Sequence, residues 1–239
     1  MNDYGGAIKI RSRSKIIIKN TLFLDNQSFQ NGGALYNTLS DLEMINCQFR
    51  QNKTASSGGG AYVDGGRGDN GQVVFDQCIF DSNESGLAIE GGAGGGLYLY
   101  SYNLGKAWVK NCTFKNNYAH GEKGYGGGLD YSSETLITEH SEYPYTNTGN
   151  DTYLFLHNSA FYNNHSNYLG GGIIFGRGEG EMVNCTVAYN SAIRTSNTGG
   201  TGGGLYLNDF ELSIANCTIA YNITKGNAGG IATSQEVTA

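Results

Sequence analysis

Gly94 to Asn117 reads GGGLYLYSYNLGKAWVKNCTFKNN and contains both units from which the rest of the chain is built. Leu97 and Leu99 fall on one side of an alternating pattern and Tyr98 on the other. A period of two means strand, not helix. Ala107 and Val109 stand four and two places before Asn111, but beyond it the apolar set moves to Cys112 and Phe114. The alternation breaks at the Asn, which marks a bend between two short strands.

The Asn-Cys unit recurs as NTLFLDN from Asn20, NCQFRQN from Asn46, QCIFDSN from Gln77, NSAFYNN from Asn158, NCTVAYN from Asn184 and NCTIAYN from Asn216. The Gly-Gly unit, followed by Ala or Gly and an apolar residue, begins at Gly5, Gly32, Gly58, Gly94, Gly126, Gly170 and Gly202, with a worn copy at Gly229. The two alternate along the chain. Successive positions Phe23, Phe49, Phe80, Phe114, Phe161, Val187 and Ile219 lie 26, 31, 34, 47, 26 and 32 residues apart. Strands do not tolerate such variation and corner loops do. The expected fold is all-β: a right-handed parallel β-helix, a solenoid of about seven three-stranded coils with two tight corners and one Gly-led corner. The hand follows the crossover preference of parallel strands, and a pitch of about 4.8 Å gives a rod of about 35 Å. The whole chain, 1–239, reads as one repeat domain, expected to be a segment of something longer, with a long loop insertion at 132–151.

Stacked coils bring equivalent residues above one another. Asn at the first corner, with Gln77 the exception, and Asn at the second (Asn26, Asn52, Asn83, Asn117, Asn164, Asn190, Asn222) are therefore expected to form amide ladders that satisfy the groups a bend leaves unpaired. Composition agrees: 38 Gly serve the corners, and a single Pro reflects the need for a ladder donor in every coil. Gly without a triplet period excludes collagen, and 12% aromatic with 15% charged residues excludes a disordered chain. No apolar run reaches the length of a membrane helix, and MNDYGGAIKIRSRSKIIIKN lacks the apolar core of a signal peptide. A net charge of −6 argues against nucleic acid as partner.

Cys47, Cys78, Cys112, Cys185 and Cys217 share one repeat position, with Thr21 and Ser159 in the other two coils. A buried stack of small side chains accounts for them. Neighbouring coils leave Cys47 with Cys78, and Cys185 with Cys217, open to disulfide pairing. Cys-x-x-Cys spacing is absent, so no metal and no cofactor is expected.

The motifs GGAI at Gly5 to Ile8, GGAL at Gly32 to Leu35, and FLDN, FRQN, FDSN, FKNN and FYNN from Phe23, Phe49, Phe80, Phe114 and Phe161 resemble those of the chlamydial polymorphic membrane proteins and related β-helix surface proteins. Later coils depart, with GGGL or GGGI and VAYN or IAYN. The resemblance implies an exported autotransporter passenger, displayed at the outer membrane by a separate C-terminal barrel and used in adhesion. It implies an extracellular or cell-surface location and a surface protein or glycan of a host or neighbouring cell as partner. No such barrel is read in these residues, so anchoring is not expected of this segment itself.

Parallel β-helices also include polysaccharide lyases and hydrolases, which resemble one another in clustering Asp with Arg or Lys on one outward face. Here Asp64 and Asp69 read as one loop, and Asp130 follows a Gly triplet alone. A carboxylate pair could be assembled from Asp130 with Glu134 or Glu139, which keeps a carbohydrate-active enzyme, a polysaccharide lyase or glycoside hydrolase, as the alternative; no catalytic residue is assigned and the chain is read as a non-enzyme. The outward position after each Gly-rich unit holds Lys9, Tyr36, Tyr62, Tyr98, Asp130, Ile174, Tyr206 and Ala232. Tyr36, Tyr62, Tyr98 and Tyr206 are the candidate binding residues, since aromatic faces stack on sugars and proteins; stabilising cross-strand stacking is the alternative. Arg67-Gly68-Asp69 resembles an integrin-recognition tripeptide on an exposed turn, with chance occurrence the alternative in so Gly-rich a stretch.

Overall fold

A computed structural model describes residues 4–11, 13–88, 91–134, 152–194 and 200–234. Every strand-to-strand pairing within it is parallel, and the strands form three sheets running along one axis. Coil 4 shows the plan. Strand Leu97–Tyr102 follows the Gly corner, Lys106–Lys110 continues the same sheet, Thr113–Lys115 lies on the second face, and Tyr118–Ala119 on the third. The third face is seven two-residue strands, too short to show a period in the sequence, so each of coils 1 to 5 has four strands on three faces, not three strands. In coils 6 and 7 the first two merge into single strands, Ile173–Val183 and Leu205–Ala215. The 132–151 insertion starts later than the sequence suggested: Ser132, Ser133 and Glu134 belong to strand Leu129–Glu134, and 135–151 lie outside the described residues.

The core is a column. Phe23, Phe49, Phe80, Phe114 and Phe161 stack face to face with ring centroids 4.7, 4.7, 4.6 and 4.5 Å apart, and Val187 and Ile219 continue the row. All but Phe23 of these rings are fully buried, each contributing roughly 1.5–3 kcal/mol by removal from water. The five cysteines are free, and their thiols donate to backbone carbonyls, as Cys112 Sγ does to Lys110 at 3.2 Å. The hydrogen bond with Cys112, reinforced by burial, pushes Cys78 up to about 12, and burial pushes Cys185 up to about 11. Protonated and enclosed, Cys78 and Cys185 are structural and not nucleophilic.

Of the two corner ladders only one is complete. From Asn26 to Asn222 each second-corner amide donates to the Oδ1 of the Asn in the next coil at 2.9–3.0 Å. The same Nδ2 also donates to a carbonyl of the preceding coil, for example Asn117 to Phe80 at 3.0 Å. The first-corner row is exposed and interrupted: Asn46 donates to Asn20, but at Gln77 the chain of amides stops and Asn111 donates to Asp76 instead. The left-handed backbone falls on different residues at the two corners. At the first corner the Asn itself takes the left-handed conformation, as Asn111 does at φ 56°. At the second corner the preceding residue takes it, Asn116 at φ 56° in coil 4 and Tyr189 in coil 6. The ladder Asn is thereby free to point inward.

Candidate functional site

The stacking register puts Lys9, Tyr36, Tyr62, Tyr98, Asp130, Ile174, Tyr206 and Ala232 in one outward row. Tyr36, Tyr62 and Tyr98 form a continuous stack, with centroids 5.4 and 4.7 Å apart and planes within 5° and 2° of parallel. Tyr4 and the Lys9 ammonium cover its coil 1 end, Lys9 Nζ lying 4.7 Å from the Tyr4 ring centre. Both faces of Tyr62 are thus occupied by other rings, and Tyr36 is only 8% exposed. At Tyr36 and Tyr62 the expectation that ring faces stack on a ligand is corrected: these two offer ring edges and hydroxyls. Tyr206 shares the row but is separated from Tyr98 by two coils, holding Asp130 and Ile174, and does not join the stack.

Beside this row stands a second group that the sequence reading left unassembled. Asp64 is not in a loop with Asp69; it ends strand Ala61–Asp64 and faces outward beside Tyr100 of the next coil. Tyr100 donates to Glu134 Oε2 at 2.9 Å, and Tyr102 donates to Asp64 Oδ1 at 2.5 Å. The two tyrosines of coil 4 therefore reach in opposite directions along the axis. Burial first and the Asp64 charge second raise the Tyr62 and Tyr102 phenols, and burial with Asp130 raises Tyr98. All stay protonated donors. Burial also raises Asp64, against the opposing hydrogen bond from Tyr102.

Asp130 is the outlier. It is 6% exposed, and among the described residues it has no hydrogen-bond or ionic partner. Desolvation alone raises it to about 7. Because the unfolded carboxyl titrates near 4, the folded chain binds the extra proton between about pH 4 and pH 7, and this contribution to stability falls as pH rises through that window. Asp81 and Glu84, lowered despite burial by their hydrogen-bond partners, lose their contribution only at acid pH, while burial lowers His165 and so gives it the opposite slope below about pH 6.5. The Asp130→Asn variant isolates the effect: its stability relative to the parent should rise by about 3 kcal/mol from pH 5 to 8.5, read by denaturant midpoints. A constant difference would show that Asp130 does not titrate in this range.

Asp130 and Glu134 lie four residues apart on one strand, about 13 Å between backbones, and Glu134 accepts from Tyr100 of the preceding coil. Arg67 and Gly68 are exposed, and Gly68–Asn70 forms a 3-10 turn; the Asp41 carboxylate accepts the backbone N–H groups of Arg67 and Gln72, both at 2.9 Å. The Asp69 side chain lies outside the described residues. Among those described, no three His, Cys, Asp or Glu side chains converge as a metal site, and no helix is long and apolar enough to cross a membrane. Sequence reading also missed the outward pair Trp108 and Phe155, stacked at 5.3 Å on the other half of the same sheet. Their signal was present, since each sits between two inward residues.

The right handed beta helix region family matches residues 1–101. Searches of curated proteins and of solved structures returned no match. The chain is a β-helical repeat protein with a right-handed parallel coil.

Proposed function

We propose that this chain is a non-catalytic, surface-displayed binding rod whose contact surface is the tyrosine and carboxylate face of coils 2 to 5, in the manner of an adhesive autotransporter passenger. Its partner is then a surface protein or glycan of a host or neighbouring cell. One observation carries the reading: Tyr36, Tyr62, Tyr98, Tyr100 and Tyr102 gather with Asp64, Asp130 and Glu134 on one outward face. Rings in register supply stiff polar edges at little entropic cost, and a rigid solenoid holds them preorganised. The similarity of the GGA and FxxN motifs to the polymorphic membrane proteins supports the display and the outer-membrane or extracellular setting.

The test replaces Tyr62 and Tyr98 by Phe together, which keeps the stack and removes the hydroxyls. Binding to immobilised surface glycans and to whole cells should fall roughly tenfold, as expected for two lost hydrogen bonds, with the thermal midpoint unchanged. Undiminished binding would remove this face as the contact surface. A carbohydrate-active enzyme is the second reading, favoured by the desolvated Asp130, a carboxyl still protonated near neutrality. Turnover of pectin, alginate or another polysaccharide, abolished by Asp130→Ala with Glu134→Ala, would establish it in place of the first.

A further inference from the structure

Three groups adjacent in the outward row have unused hydrogen-bonding capacity. The Tyr62 and Tyr98 hydroxyls have no hydrogen-bond partner among the described residues, and neither does the Asp130 carboxyl. They stand in coils 3, 4 and 5 at directly paired positions, so they repeat at the strand spacing of about 4.8 Å along the axis. Their neighbours differ: Tyr100 and Tyr102 are saturated by Glu134 and Asp64. A carboxyl on a residue only 6% exposed, with no partner in the protein, is partly desolvated without compensation, and the fold does not require one here. The next coil places Ile174 at the same position, packed and 8% exposed.

We propose that Tyr62, Tyr98 and Asp130 form a subsite for an uncharged polyhydroxy chain, a neutral glycan lying along the helix axis. This rests on the binding-face reading above and names its ligand class. A glycan hydroxyl both donates and accepts, so it serves the phenols and the carboxyl in either protonation state. Polyuronates are disfavoured by the Asp64 and Glu134 carboxylates flanking the row, and no Lys or Arg stands in the row between Lys9 of coil 1 and its end at Ala232. At Tyr62 a cationic chain gains no ring face, because both faces are taken by Tyr36 and Tyr98, and seating an ammonium at Asp130 would strip its hydration as well.

Calorimetric titration of the full chain with soluble galactomannan, xyloglucan and mixed-linkage β-glucan, beside polygalacturonate, alginate and chitosan oligomers, tests the assignment. At least one neutral polymer should bind and the charged ones should bind more weakly. Asp130→Leu, sterically covered by the precedent of Ile174, should fold with an undiminished thermal midpoint and lose roughly tenfold or more in affinity. Asp130→Asn, which keeps an uncharged polar group, should restore most of it. Preferential binding of a uronate or of chitosan would overturn the neutral class while leaving the face as a binding surface. Neutral-glycan binding that survives Asp130→Leu and the double Tyr→Phe change would overturn both readings. A purely structural Asp130 would give a lowered midpoint on replacement by Leu and leave affinity untouched.

Discussion

Gly95→Ala is expected to lower the thermal midpoint by about 10 °C and to split unfolding into two steps. A methyl built on Gly95 would lie 2.4 Å from the Gly127 carbonyl oxygen of the next coil and 2.6 Å from the Tyr118 carbonyl carbon of its own. Both obstacles are backbone, so neither can swing aside as a side chain would. Relief requires coils 4 and 5 to separate locally, at a cost of about 3 kcal/mol or more, and for a chain of this size each kcal/mol moves the midpoint by roughly 2–4 °C. A solenoid holds together through nearest-neighbour interfaces, so weakening one uncouples the coils before it from those after it. The control is Gly230→Ala at the last Gly corner, where the nearest atom to the added methyl is a side-chain carbon of Ile219 at 3.7 Å. It should be nearly neutral. Scanning calorimetry reads both, and a single unshifted transition for Gly95→Ala would show that the coil contact yields without cost.

The second large effect is expected at the centre of the buried ladder. Asn117 donates to Phe80 O at 3.0 Å and to Asn164 Oδ1 at 2.9 Å, and its own Oδ1 accepts from the backbone N–H and the side-chain amide of Asn83 at 3.0 and 2.9 Å. Asn117→Leu keeps the branched outline of the side chain and removes all four bonds. The groups left behind belong to a fully buried column, and each unsatisfied buried group costs about 1–3 kcal/mol. A loss of about 4 kcal/mol in unfolding free energy should follow, measured by urea denaturation. Asn222→Leu at the far end of the ladder lies in a half-buried coil and strands fewer groups. Its loss should be less than half as large. Equal losses at the two sites would mean that the ladder contributes as separate amides and not as a continuous buried chain.

Both predictions concern features legible in the sequence, and the ladder shows how far that legibility reached. Alternation and spacing identified Asn117 and its six equivalents as stacked corner residues, because a parallel coil repeats its side-chain directions at every turn. They did not distinguish the complete inner ladder from the interrupted outer one. That difference arises from which residue of the corner takes the left-handed backbone, Asn111 at the first corner but Asn116, just before Asn117, at the second. The third face was missed because a strand of two residues, such as Tyr118–Ala119, has no period to read.

The candidate site divides in the same way. Tyr36, Tyr62, Tyr98 and Asp130 were assigned to one outward row from the sequence, and the register confirms that row pair by pair. Asp64, Tyr100 and Tyr102 were not gathered, since their meeting depends on side chains crossing between coils 34 to 38 residues apart. The sequence by itself determined the coil, its inward residues and its outward rows, because stacking copies a local pattern of alternation along one axis. Only the tertiary structure decided that the tyrosine faces cover one another while two hydroxyls and the Asp130 carboxyl remain unpaired. Ring overlap and burial are properties of neighbours in space, and a repeat fixes which residues are neighbours without fixing how completely they satisfy each other.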